Sequence, residues 1–318
     1  MTPRLQQKGK SMSATGSSSK NKLYRVTTID QIHSIAGMGK PSNPLVTIVD
    51  YGSITIDKAP ESGRFACSFY GVHYKKNCRF SYGRQDFDHQ EGSLHCTAPD
   101  QIIEYDRDDG KEKAEGWGLF FHPELIRGTS LGEKINSYGF FGYDEYEALH
   151  LSDEEKHKLE VLAHQLKKEI DTYTDAHSQD IIVSSIELCL NYCGRYYDRQ
   201  FHTRSAGNRD VLSRFERYLL EYFASDEAIR KGVPSVRKCA EQMNLSANYF
   251  SDMLKSETGK SAREHIQFHL LESAKTMLIG TDLTVDEIAF RLGFEYAQNF
   301  SALFKKKIGI PPSQYRAG

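Results

Sequence analysis

The sequence predicts a multi-domain α+β protein, and three observations predict it. From about 45 to 130 the chain runs in short pieces rich in β-branched and aromatic residues, such as PLVTIVDYGSITID, GRFACSFYGVHY and EGSLHCTAPDQIIEYD. Near residue 151 the apolar spacing changes to a helical period. Beyond about 210 the chain reads as all helix, and it writes one amphipathic helix twice: ANYFSDMLKSETG (247–259) and AQNFSALFKKKIG (297–309).

The 318 residues, 39% hydrophobic and 26% charged, are enough for two domains. The first 22 residues, MTPRLQQKGKSMSATGSSSKNK, are basic and rich in Ser, Gly and Lys. No apolar stretch follows them, so they read as a disordered tail and not as a secretory signal. No run of 18 apolar residues occurs, so no membrane span or membrane partner is expected, and the cytoplasm is the expected compartment. Six cysteines without C-x-x-C spacing fit buried thiols in a reducing compartment.

Residues 23–150 read as a β-barrel, because runs of four to eight strand formers alternate with Gly, Pro and Asp. Residues 151–201 read as a helical hairpin. Ser152 and Glu155 have capping-box spacing, and Leu159, Leu162, Leu166, Ile170 and Tyr173 form one stripe. A second helix follows through Ile182, Ile186, Leu190 and Cys193. We expect Leu159, Leu162 and Leu166 to form a dimer seam; the alternative is that they cover the barrel. The polar segment 202–209 reads as a linker to an all-α region, 210–318. Residues 209–318 carry 16 Lys and Arg against 14 Asp and Glu, whereas the whole chain has a formal net charge of −2.

The repeat is more than a likeness of two helices. At a shift of 49, Val236, Ala240, Met243 and Leu245 fall on Val285, Ala289, Leu292 and Phe294. At a shift of 50, Ala247, Phe250, Ser251, Lys255 and Gly259 meet the identical types Ala297, Phe300, Ser301, Lys305 and Gly309. Each unit reads as helix, tight turn, helix, over about 235–257 and 284–307. Gly293 ends the first helix of the second unit, and Asn244, the other residue that tolerates a left-handed conformation, takes its place in the first. Ser246 and Thr284 are helix caps. Between the units, 261–282 reads as a helix of about 18 residues, roughly 27 Å long. It could hold the two units about one DNA turn apart, near 34 Å.

Phe250 with Leu254, and Phe300 with Phe304, share a face at i, i+4 and should point inward. The outward set is then Asn248, Tyr249, Ser251, Asp252 and Lys255 on one helix. On the other it is Gln298, Asn299, Ser301, Lys305 and Lys306. Amides, hydroxyls and a carboxylate near the helix start suit base edges, and lysines near its end suit phosphates. These ten residues are the candidate double-stranded-DNA contacts.

The segment TVDEIAFRLGFEYAQNFSALFKKKIGIPPSQYR (284–316) closely resembles the signature of the AraC/XylS-type transcription regulators. The matching residues are Ile288, Ala289, Gly293, Phe294, Phe300, Ser301, Phe304, Lys305, Lys306, Gly309, Pro312, Tyr315 and Arg316. LSANYFSDMLKSETGKS is similar to the family's first recognition helix. The chain departs from the pattern at Leu270, where members commonly carry Arg, and at Asp252, where many carry a basic or amide residue. The resemblance implies an N-terminal cupin-like domain that senses a small-molecule effector, followed by helices that form a homodimer.

No catalytic motif appears: G-x-S-x-G, the P-loop, H-E-x-x-H and the dinucleotide glycine fingerprint are all absent. His73, His89, His95 and His122 make no H-x-H pair, so no metal, cofactor or catalytic residue is expected. The sequence does not single out the residues of a ligand pocket; Trp117, Tyr70 and Tyr82 are guesses only. The sequence therefore points to an effector-responsive transcription regulator and not to an enzyme. A second reading has an N-terminal domain that only dimerises or holds a protein partner such as RNA polymerase. A third, more distant, is a metal-dependent cupin enzyme fused to a DNA-binding domain.

Overall fold

A computed structural model describes residues 23–54, 62–76, 79–82, 85–88, 92–106, 115–144, 147–172 and 175–317. The expected N-terminal tail, His89 and the side chain of Tyr82 lie outside the described residues. The chain is mixed α+β, sheet-rich at its N-terminal end and helical at its C-terminal end.

The N-terminal half begins with β1 (Leu23–Val26), α1 (Ile29–Ala36), β2 (Val46–Asp50), β3 (Ser62–Cys67) and β4 (Tyr70–Lys76). A hairpin of β5 (Arg79–Tyr82) and β6 (Gln85–Asp88) follows, then β7 (Ser93–Thr97), β8 (Ile102–Asp106) and β9 (Glu115–Phe121). Two short helices, α2 (Pro123–Ile126) and α3 (Ser130–Lys134), lead to β10 (Leu149–His150). An antiparallel sheet runs β10-β7-β4-β9-β2, and a smaller one runs β1-β3-β8. The larger sheet is covered on both faces. Val46, Ile48, Val72, Tyr74, Leu94, Cys96, Trp117, Leu119 and Phe121 join the main core on the helical side. Val49 and Phe120 face the other way and meet Val26, Phe69, Phe65 and α1 in a second cluster. Two-residue side-chain alternation supplies both layers from the same strands.

Helices α4 (Asp153–Thr172) and α5 (Ser178–Thr203) cover the main core. The expected cap is present: Ser152 N–H donates to Glu155, and the Glu155 N–H donates back to the Ser152 hydroxyl. The expected dimer seam is not. Leu159 and Leu166 are 1% and 3% exposed, packed within the chain's own core, with Leu162 half-buried beside them. The stripe matches the apolar faces of the sheet and α5, so it is satisfied internally. The expected linker also differs. Helix α5 continues to Thr203, and α6 (Ser205–Ala224) starts after a break at Arg204 alone. No proline interrupts the segment, and the buried Asn208 anchors it by donating to the Phe201 carbonyl and to Glu257.

The C-terminal region continues with α7 (Glu227–Lys231), α8 (Val236–Met243), α9 (Ala247–Thr258) and α10 (Ala262–Gly280). It ends with α11 (Val285–Arg291), α12 (Ala297–Ile308) and α13 (Pro312–Ala317). The 19 residues of α10 start at a Ser261–Glu264 capping box and bury Ile266, Leu270, Ala274 and Leu278. Leu270, where the family pattern has Arg, is 1% exposed and is a core residue here. Among the described residues no helix is long and apolar enough to cross a membrane.

Candidate nucleic-acid interface

Two pairs of helices, α8–α9 and α11–α12, are built by the same local chemistry. Helix α8 ends at Asn244, whose left-handed φ of 58° lets Leu245 N–H return to the Ala240 carbonyl at 3.0 Å. In the second pair, Gly293 at φ 89° lets Phe294 N–H return to the Ala289 carbonyl, also at 3.0 Å. Asn suffices at the first turn. At the second, a Cβ would also crowd the backbone of Ala228, Gly232 and Val233, so only glycine fits. The following helices both close on a left-handed glycine, with Gly259 N–H on Lys255 and Gly309 N–H on Lys305, each at 2.9 Å. Their starts differ. Ser246 caps α9 through the Tyr249 N–H, whereas Tyr296, at the same position before α12, makes no side-chain cap.

The inward residues lie as the spacing predicts: Phe250, Leu254, Phe300 and Phe304 are all 0% exposed. On α12, Gln298, Asn299, Lys305 and Lys306 are exposed and Ser301 is half-buried. This helix presents amides at its start and lysines in its last turn, where the cations also complement the helix dipole.

Helix α9 is different, because another part of the chain lies on its outward face. The Asn248 side-chain amide donates to the Gly139 carbonyl at 3.3 Å, and the Tyr143 hydroxyl donates to Asp252 Oδ2 at 2.7 Å. Asp252 and Ser251 are half-buried, and the Ser251 hydroxyl donates back to the Ala247 carbonyl. Tyr249 is not outward at all. It is 6% exposed, with its ring edge-on to Tyr143 and Phe201 at 5.2 and 5.1 Å. Large aromatics beyond a half-turn of the inward stripe find cover when a second surface is near, and here one is. Only Asn248 and Lys255 of the five remain exposed.

The residues that sequence reasoning missed are those covering α9. Gly139–Gly142 forms a 3-10 turn, GFFG, whose Phe140 and Phe141 are buried in the main core while its two glycines abut Asp252 and Asn248. Glu147, 1% exposed, accepts from the Ser246 N–H at 2.7 Å and from the Ser246 hydroxyl, beside the start of α9. Burial raises its carboxyl to about 7, outweighing the bonds from Ser246 and Asp144 that favour the charged form. Burial likewise lifts Asp252 above the usual carboxylate range, against the pull of the Tyr143 hydroxyl. Asp252 itself was the available signal, since an acid suits a phosphate-facing helix poorly.

In the N-terminal half, a polar cluster lies between the two sheets. His73 stacks on His95 at 4.7 Å across the β4–β7 register. Its Nδ1 meets the Tyr51 hydroxyl at 2.7 Å, and its Nε2 meets Thr97 Oγ1 at 3.1 Å. Both ring nitrogens are thus engaged by hydroxyls. Trp117 and Tyr70, the sequence candidates for a pocket, face the helical side instead, with Tyr70 stacked on Phe121. His122 caps α2 through the Glu124 N–H.

Comparison with known proteins agrees with the C-terminal geometry. A family profile described as "Helix-turn-helix domain" matches residues 239–318. The uncharacterized HTH-type transcriptional regulator YijO of Escherichia coli (strain K12) is 31% identical over 136 residues, 43% of this chain and 44% of the relative. The HTH-type transcriptional activator RhaS of Salmonella schwarzengrund is 32% identical over 114 residues, 36% of this chain and 38% of the relative. The matches span between 10% and 44% of the first curated relatives' own length. Among solved structures, the C-terminal domain of AraT, a response regulator from Geobacillus stearothermophilus, is 32% identical. It covers 34% of this chain and 84% of that one, with a TM-score of 0.30. The C-terminal region of this chain is a helix-turn-helix domain of the AraC type.

Proposed function

We propose that the chain is a sequence-specific DNA-binding transcription regulator in which α9 and α12 enter successive major grooves. The observation that carries this reading is the repetition of the two helix-turn-helix units, with the same turn bond and the same glycine-closed second helix, and with α10 as the spacer between them. At 1.5 Å per residue the 19-residue α10 is about 28 Å long, close to one DNA turn. Gln298, Asn299 and Ser301 read bases from one groove, and Asn248, Ser251 and Asp252 read them from the other. Lys255, Lys305 and Lys306 hold phosphates. Tyr249 leaves the contact set because it is a packing residue.

The N-terminal half is proposed as a cupin-like barrel that takes a small-molecule effector between its sheets. The buried His73, His95 and Thr97, with the half-buried Tyr51, support this, since they place polar groups inside an otherwise apolar layer. The family resemblance supports a homodimer; contact with RNA polymerase belongs to the second reading, in which this half only dimerises or holds a protein partner. Selection of bound duplexes from a 30-base-pair random library tests the reading. It should return a two-part motif whose halves lie about 10 base pairs apart. A single continuous motif shorter than one turn would overturn the two-groove arrangement.

A further inference from the structure

The ten candidate DNA contacts are not equally available. Those on α12 are exposed apart from the half-buried Ser301, whereas α9 has its base-reading side against Gly139–Tyr143 and Glu147 of the N-terminal half. The fit is built from both sides. Asn248 and Asp252 lie one helical turn apart on α9, and Gly139 and Gly142 are spaced to meet them. A Cβ at Gly139 would overlap Asp252 Oδ2, and one at Gly142 would overlap Asn248 Nδ2. Between the glycines, Phe140 and Phe141 (4% and 5% exposed) root the turn in the sheet-and-helix core. Phe140 stacks on Tyr197 of α5 at 5.6 Å, so the turn is held by the same helix that covers the sheet.

The polar groups are matched as well. Asn248 gives its amide hydrogen to a backbone carbonyl, and Asp252 takes a phenolic one. Each keeps further hydrogen-bonding capacity, so what bars an adenine or cytosine edge is the turn itself, packed against the face that base would have to reach. Glu147 reaches the cap of the same helix through both the N–H and the hydroxyl of Ser246. A carboxylate there also sits where a DNA phosphate would approach a helix N-terminus.

We propose that this arrangement is an off state: the Gly139–Tyr143 turn, with Glu147 at the helix cap, occupies the base-reading face of α9, so that only α12 is free to read DNA. Opening requires this segment and α9 to part, which couples the N-terminal half to half-site recognition. The proposal rests on the reading of α9 as a DNA-reading helix. The coupling is thermodynamic: any ligand that binds the N-terminal half more tightly when the segment is released favours two-groove binding.

A reversible lock tests it on the full chain. An ideal Cβ at Gly142 lies 3.6 Å from the Asn248 Cβ, within the range of a disulfide, and Gly142 has no left-handed φ. Gly142→Cys with Asn248→Cys, oxidised by glutathione disulfide, would join the two thiols and release two molecules of glutathione. The probe is the set of 30-base-pair duplexes selected from a random library by the reduced double variant. Oxidation should weaken binding to these at least tenfold, and dithiothreitol should restore it. The wild type should not respond, and intact mass should show the oxidised double variant two hydrogens lighter with no glutathione adduct. In parallel, Tyr143→Phe, which removes the bond to Asp252, should bind wild-type-selected duplexes about tenfold more tightly. Suppose instead that the locked and reduced forms bind alike while Lys255→Ala weakens binding: masking is then wrong and α9 still reads DNA. If Lys255→Ala, Lys305→Ala and the lock all leave binding unchanged, the reading of the helices falls, and the masking with it.

Discussion

Glu147→Gln isolates the buried carboxyl at the junction between the N-terminal half and α9. Glu147 is 1% exposed, and burial raises its carboxyl from 4.5 to about 7. The folded state therefore holds its proton to higher pH than the unfolded chain does. Stability from this group is greatest below pH 4.5, falls as pH rises from 4.5 to 7, and is level above 7. A shift of about 2.5 units at 1.36 kcal/mol each amounts to roughly 3 kcal/mol. The value of about 7 is what remains after the bonds from Ser246 and from the Asp144 N–H have pulled it down; the Asp144 charge pushes it up, and Tyr197 and Tyr249 are themselves held protonated by burial. Gln keeps an oxygen for the Ser246 N–H and an amide for its hydroxyl. Urea unfolding of both proteins at pH 5, 6, 7 and 8 is the assay, read as the difference between them at each pH. The variant should gain on the wild type by up to about 3 kcal/mol between pH 5 and 8. Parallel profiles would show that Glu147 does not ionise in a buried site, and would refute the reasoning.

Other outcomes follow from the same packing. Phe300→Ala removes a fully buried ring from the second helix pair and should cost about 3–5 kcal/mol by denaturant unfolding. Leu159→Ala should cost about 2–5 kcal/mol and leave the mass measured by light scattering unchanged, because its contacts are within one chain. Lys305→Ala should weaken binding to all sequences alike and lower the magnitude of the salt slope by about one. A change of base preference with an unchanged slope would remove Lys305 from the phosphate contacts.

Much of the C-terminal region was legible because its signals are local. A residue that tolerates φ above zero, a Ser or Thr cap and an i, i+4 pair of Phe act within one or two turns of chain. Asn244, Gly293, Ser246, Phe250 and Phe300 accordingly lie as the spacing requires. The misses are all non-local. Polarity made 202–209 look like a linker, yet Asn208 is satisfied by Glu257, 49 residues away. The Leu159 stripe shows that α4 has an apolar face, and periodicity does not say whether the sheet or another copy covers it. Tyr249 and Asp252 gain their partners from Tyr143, which lies 109 residues from Asp252. Asp252 departs from the family pattern where the chain has an internal use for a carboxylate. The strands were readable as strands, but the parallel β1–β3 pairing and the His73–His95 juxtaposition depend on topology that short alternating runs do not encode.

The most direct test of the central claim is a base-preference map of the full chain beside Asn248→Ala and Gln298→Ala, all selected from one random duplex library. Each substitution should relax preference at its own position, at a cost of about 1–3 kcal/mol there, and the two positions should lie about 10 base pairs apart. Relaxation of the same base pair by both substitutions, or of none by either, would contradict reading of two grooves by α9 and α12.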